Sequence, residues 1–324
     1  MLFRMGRYSI ALDRHDRSAN VNFVSHAHSD HTAGLRRGSG AVMSMPTMEL
    51  LAVRGKKVAA AEMCNMGKML DAGHILGSKQ LYVELEDMGT SVLYSGDYQM
   101  QKSFAAEGIR TTEADLLVID STYPYANVIF DDRDEVAYAM QLYVKRKLES
   151  GAAVVFGTYT MGKAQELIKV FNDIGIAPVV DEKIAKLNEV YAKFGIKLDY
   201  ASSGEEGYGK QGDALYITSN SKLTGEAMRI SETGGKRVYT AMASGFAKTI
   251  KFSTDVQFPL SDHADFRQAL EYIERCNPKR IFTVGSNRET MAKNLKAEGL
   301  NATAAMENGI SISVASNINR DSQV

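Results

Sequence analysis

Four potential metal ligands fall within six residues, in the segment Ser25-His26-Ala27-His28-Ser29-Asp30-His31. The whole chain has only six histidines, so three of them in one short run is the most restrictive feature of the sequence. The preceding residues, Val21 to Ser25, read as a strand. In an extended stretch the side chains at i and i+2 share a side, so His26 and His28 can face one ion. A turn at Ser29 would aim Asp30 and His31 at a second ion close by.

Two further groups belong with this cluster. His74 lies in Asp71-Ala-Gly-His-Ile-Leu-Gly-Ser78, where Gly73 and Gly77 permit a tight loop that brings an imidazole inward. Asp97 follows a strand, in Tyr94-Ser-Gly-Asp-Tyr98, and a carboxylate has two oxygens with which to bridge two cations. Alone, His74 would be an ordinary loop or core histidine and Asp97 a turn residue. Their order after the cluster gives them meaning.

At 324 residues the chain has room for two domains. Leu81 to Glu86 and Ser91 to Ser95 read as a β-hairpin, and Leu116 to Asp120 as a short apolar strand. Beyond it strands and helices alternate: a helix from Arg133 to Lys147, a strand from Ala152 to Phe156, a helix from Lys163 to Ile174, a strand from Pro178, and a helix near Lys183 to Phe194. This predicts a parallel α/β unit. The segment from 201 to 212, with four glycines, reads as a surface loop. There is no apolar run of membrane-spanning length and no signal-peptide pattern, so a soluble, cytoplasmic protein is expected. Cys64 and Cys276 are far apart, which implies neither a disulfide framework nor a thiolate metal site. A net charge of −1 gives no global field for a polyanion, so nucleic acid would have to be held locally.

The order H-x-H-x-D-H, lone His, lone Asp resembles the signature of the metallo-β-lactamase superfamily. By that resemblance His26, His28, His74 and Asp97 hold the first metal, and Asp30, His31 and Asp97 the second. Asp13 matches the aspartate that organises the site from behind the ligands, with Asp16 as a competing candidate. The implied cofactor is Zn2+, one ion tight and the second weaker, with Mn2+ also compatible with a mixed N/O ligand set. Such an ion lowers the pKa of bound water to about 7, and two ions about 3.5 to 4 Å apart can stabilise attacking and departing oxygens.

Three later segments resemble the β-CASP nucleases: Val118-Ile-Asp120-Ser-Thr-Tyr123, Gly157-Thr-Tyr-Thr-Met-Gly-Lys163, and Phe258-Pro-Leu-Ser-Asp-His263-Ala-Asp-Phe266. The resemblance implies an α/β fold, a metallo-β-lactamase αββα sandwich formed by 1–124 and 249–324 with an inserted α/β cap at 125–248. It makes Asp120 and His263 catalytic partners alongside Asp30, the carboxylate orienting a histidine that assists the leaving oxygen. Thr158, Tyr159, Gly162 and Lys163 become a substrate-phosphate site at a helix N-terminus. Arg36, Arg37, Lys56, Lys57 and Lys102 are further phosphate contacts in this reading, and Tyr123, Tyr125 and Tyr159 could stack on bases.

The branch of the family turns on one position. RNA-cleaving members carry a histidine after the strand that here ends Thr283-Val284-Gly285, whereas DNA crosslink-repair members carry valine. Ala72-Gly-His-Ile-Leu-Gly77 and Gly162-Lys-Ala-Gln-Glu166 instead resemble the RNA-processing branch. The balance implies a 5′ to 3′ DNA exonuclease of DNA-repair type, with single-stranded DNA favoured over RNA, and an RNA-processing nuclease as the alternative. A small-molecule metallo-hydrolase on the same core is disfavoured by the inserted segment and the Asp120/His263 pair. A silent binding subunit is disfavoured by the intact ligand cluster.

Overall fold

In the computed structural model, which describes residues 1–60, 67–203 and 215–312, two sheets lie face to face and a third forms a separate layer system. The first sheet has the strand order Ile310–Ile312, Leu2–Met5, Tyr8–Leu12, Val21–Phe23. The second runs Ala302–Ala304, Arg280–Val284, Leu116–Asp120, Thr90–Tyr94, Lys79–Leu85, Gly67–Asp71. The expected hairpin is present, Lys79–Leu85 pairing antiparallel with Thr90–Tyr94.

The alternation of side chains along Leu116–Asp120 explains the layering. Leu116 and Val118 point into the core between the two sheets, against Phe23, Tyr94 and Phe282. Leu117 and Ile119 point the other way, under the helices Phe266–Cys276 and Arg288–Ala297, where Phe266, Tyr272 and Leu295 cover them. A strand buried on both faces is apolar throughout, as the sequence LLVI requires. Its polar last residue, Asp120, emerges at the strand's C-terminal end.

The third sheet is wholly parallel, in the order Ala201–Ser202, Val179–Val180, Leu215–Ser219, Ala153–Thr158, Val238–Ala243, Val256–Phe258. Helices Arg133–Glu149 and Lys163–Asn172 cover one face and Leu223–Gly234 the other. The alternation read from the sequence therefore gives the α/β layer expected of it. One boundary moves. The strand Val256–Phe258 pairs with Val238–Ala243, so this sheet continues past residue 249, where the sequence reading returned the chain to the first unit. The glycine-rich stretch lies, from residue 204 onward, outside the described residues, as does Cys64; Cys276 is buried with a free thiol.

The two units are joined by apolar packing beside the histidine cluster. Leu187, Val190 and Tyr191 of the helix Glu182–Lys193, with Met161, pack against Leu50, Leu51 and Ile75. No helix among the described residues is long and apolar enough to cross a membrane. Because Leu117 is fully buried, Leu117→Ala should cost about 2–5 kcal/mol of unfolding free energy. Tyr138→Ala, at a side chain 67% exposed, should change it by less than about 0.5 kcal/mol, both read from denaturant titrations.

Candidate metal centre

After the strand Val21–Phe23 the chain runs on to His26, bends at Ala27 and His28, and then makes a single 3-10 turn, Ser29–His31. This is the turn the sequence required, and it divides the cluster into two directions. His26 Nε2 and His74 Nε2 each lie 3.1 Å from His28 Nδ1. Asp97 Oδ2 lies 3.6 Å from His26 Nε2 and 3.8 Å from His74 Nε2. Donors about 2.0–2.2 Å from one tetrahedral ion stand roughly 3.3 to 3.6 Å from one another, so these four atoms fit a single cation. On the other side of Asp97, His31 Nε2 is 3.2 Å from Oδ2 of Asp97 and 3.6 Å from Oδ2 of Asp30. Oδ2 of Asp97 thus faces His26, His74 and His31 together, whereas Asp30 reaches His31 alone, so the structure does not bring the expected second trio into one cluster. Asp30 is the exposed member of the set, its side chain 77% accessible at the mouth of the cleft.

Charge states match this division. Burial, followed by the charge on His31, holds the imidazole of His26 well below the usual range, and burial and His263 do the same to His74. His28 is lowered by burial. A neutral imidazole keeps the lone pair that a metal needs. His31 behaves oppositely: burial alone would lower it, but Asp97 and Asp13 raise it well above the usual value. Asp97, which burial would raise, is held well below the carboxylate range by His31 and His263.

Each ligand nitrogen facing away from the cluster has a partner. His26 Nδ1 is 2.9 Å from Ser25 Oγ, His28 Nε2 donates to the carbonyl of Met161 at 3.2 Å, and His74 Nδ1 to that of Asp262 at 2.9 Å. The carboxylate of Asp13 accepts from Ser25 N and Oγ, from His31 Nδ1 at 2.6 Å and from Tyr94 Oη at 2.6 Å. Asp13, in a left-handed conformation at φ 53°, is therefore the aspartate behind the ligands; Asp16 accepts from Ser18 away from the site. Such partners fix the tautomer and ring orientation of ligand histidines. Tyr94 and Ser25 gave no signal in the sequence, and the two carbonyls could give none.

His263 faces the same cleft. Its Nδ1 lies 3.2 Å from Asp120 Oδ2, and its Nε2 3.9 Å from Asp97 Oδ2. Burial opposes its protonation, yet Asp97 and Asp120 raise it to about 9. Val284 pairs in register with Asp120 and lines the cleft with an apolar side chain, offering no ligand. The cleft, about 670 Å³, is also lined by Thr122, Tyr123, Tyr159 and the backbone turn at Gly285 to Asn287.

The expected phosphate residues are placed less uniformly. Tyr159 is half-exposed in the cleft wall, whereas Thr158 is buried with its hydroxyl unpartnered among the described residues. Lys163, expected to reach phosphate, is instead buried and ion-paired to Glu166 and Asp262, because its stem enters the protein at the first residue of its helix. Lys56 donates to Thr32 O and Oγ1 and so supports the ligand loop; Arg36, Arg37, Lys57 and Lys102 are exposed. Tyr123 packs on Phe130 in a small core, while Tyr125 is exposed.

No family profile matches the chain. It is 30% identical to a "Probable DNA ligase" of Opitutus terrae over 88% of this chain and 29% of that protein. It is also 30% identical to an RNase J-like protein of Methanocaldococcus jannaschii over 33% of this chain and 25% of the relative. To the human DNA cross-link repair 1A protein it is 28% identical over 52% of this chain and 17% of the relative. The chain thus spans less than a third of the length of each of these relatives.

The geometry predicts that His28→Ala removes tight divalent-ion binding, measured by equilibrium dialysis, because no described side chain replaces its Nδ1. It also predicts that His263 of the metal-free protein titrates near 9 in an NMR pH series. Asp120→Asn should move that midpoint to lower pH, since a carboxylate favours the charged ring and an amide does not; an unmoved midpoint would show that the pair does not form in solution.

Proposed function

We propose that the chain is a β-CASP nuclease of the metallo-β-lactamase superfamily, zinc-dependent and hydrolysing phosphodiester bonds in single-stranded DNA from the 5′ end. The observation that carries the reading is the meeting of two sites in one cleft. The ligand set around Asp97 lies within 3.9 Å of a histidine oriented by Asp120.

The residues fit a divalent ion. His26, His28, His74 and Asp97 would hold one, and Asp30, His31 and Asp97 a second. When bound, such an ion supplies Lewis acidity and an activated water at neutral pH. The protein's own groups do the rest. Asp97 and Asp120 favour the protonated form of His263, and Asp120 holds its ring at Nδ1, so that the Nε2–H could be given to the departing oxygen. Tyr159 and the backbone turn at Gly285 to Asn287 line the space a strand would occupy. His31 must lose its proton to become a ligand, and no fourth side chain at Val284 completes that group. Both features support a weaker second ion.

Two considerations favour DNA. The relative named as a DNA ligase matches nearly the whole of this chain with less than a third of its own length. Val284 agrees with the DNA crosslink-repair pattern, and the likeness to that branch supports attack from the 5′ end. The RNase J-like relative supports the second reading, an RNA-processing nuclease.

The deciding measurement is digestion of 5′-phosphorylated single-stranded DNA and RNA of one sequence, labelled at either end, with zinc or manganese. Stepwise loss of DNA from the 5′ end is expected, with none for Asp30→Ala and reduced turnover but unchanged metal content for His263→Ala. Preferred cleavage of RNA would move the protein to the RNA-processing branch. Cleavage of neither would return it to the small-molecule hydrolases.

A further inference from the structure

A buried group of four charges lies directly beneath the metal centre. Lys163 Nζ bonds the carboxylate of Asp262 and, at 2.9 Å, Oε2 of Glu166. Arg133 pairs with the other oxygen of Glu166 and donates to the carbonyl of Ser261. None of the four side chains is more than 8% exposed. Two cations face two carboxyls, the arrangement in which buried charges are tolerated, and burial raises Asp262 to about 7 against the pull of Lys163. Lys163, Glu166 and Arg133 come from the helices of the inserted sheet, whereas Asp262 lies on the segment that leads back to the first unit.

Asp262 occupies a sensitive place. Its own carbonyl accepts from His74 Nδ1, and the next residue is His263. The turn it belongs to is held from the first unit as well, Gln99 Nε2 donating to the carbonyls of Ser261 and His263. The segment that leads into Lys163 touches the ligands a second time, through the Met161 carbonyl on His28. Between them Gly162, at φ 88°, is packed so closely that a Cβ would lie 2.3 Å from Cγ2 of Ile75, the residue after His74. Residues 161–163 therefore address His28, the loop of His74, and the turn of His263.

We propose that Lys163 is a positioning residue, not a phosphate contact: through Asp262 it locks the 261–263 turn to the inserted unit and so sets the orientation of His74 and the reach of His263. Metal affinity then depends on the seating of the inserted sheet. This rests on the metal-dependent reading above. An ammonium has three donors, and two of those of Lys163 are committed to buried carboxylates, with only 2% of the side chain exposed at the cleft wall.

The test is Lys163→Met, with Asp262→Asn as a milder variant that keeps the carbonyl, and the double variant Lys163→Met/Asp262→Asn. Zn2+ affinity is read by competition with a chromophoric chelator, kcat and KM on single-stranded DNA at several salt concentrations, and folding by circular dichroism. Loss of a group that orients a ligand histidine weakens metal binding roughly 10- to 100-fold. Lys163→Met should do so and lower kcat, with KM and its salt dependence unchanged, and the double variant should recover part of the affinity. Unchanged Zn2+ affinity, a raised KM and a salt slope smaller by about 0.7 would make Lys163 a phosphate contact and overturn the proposal. If Lys163→Met does not fold, unaltered Zn2+ affinity in Asp262→Asn overturns it equally. Failure of the unaltered chain to bind Zn2+ would sink this inference and the proposed function together. Zn2+ binding that ignores Lys163 would sink this inference alone.

Discussion

Three imidazole nitrogens and a carboxylate oxygen aimed at one point form an arrangement suited to a cation. His26 and His74 are almost wholly buried, and their far-side nitrogens are engaged by Ser25 and by the carbonyl of Asp262, which leaves their Nε2 atoms converging on that point. The rest of the site follows from this constraint. Every ligand nitrogen on the far side of its ring is occupied by an acceptor, because an imidazole free to rotate would turn its lone pair elsewhere. Burial favours the neutral form of His26, His28 and His74, while the carboxylates of Asp13, Asp97 and Asp120 favour the charged form of His31 and His263.

The partners of those nitrogens come from widely separated parts of the chain. Asp13 holds Ser25, His31 and Tyr94 from the end of the second strand. Met161 serves His28 from the inserted unit, and Asp262 serves His74 from the segment that leaves it. The centre is thus assembled from both units, and the apolar contact of Leu187, Val190 and Tyr191 with Leu50 and Leu51 keeps them in register. A site built this way couples its chemistry to the seating of one unit on the other.

The clustering of His26, His28, His74 and Asp97 was legible in the sequence because residue type and spacing carry geometry: two histidines at i, i+2, then a turn. Asp120 and His263 were legible only through family likeness, since 143 residues separate them and neither stands in a local pattern. Lys163 shows where that kind of reading fails. A lysine at a helix N-terminus after a glycine has the local features of an anion site, and nothing in its neighbourhood announces Asp262, 99 residues away, as its partner. The end of the third sheet was hidden for a related reason: the strand Val256–Phe258 is three residues long, and only its pairing reveals which sheet it joins.

The sequence by itself determined the cluster of residue types able to hold a metal, the alternating α/β layer and the short apolar strand that ends in Asp120. These rest on periodicity and on the chemistry of residue types, which are local properties. The tertiary structure decided which of Asp13 and Asp16 supports the ligands, which carbonyls orient the histidines, and that Lys163 is spent on a buried ion cluster. Backbone carbonyls are identical at every position, and a charge finds its partner through space. No local pattern in a sequence can assign either; only the folded arrangement brings the partners together.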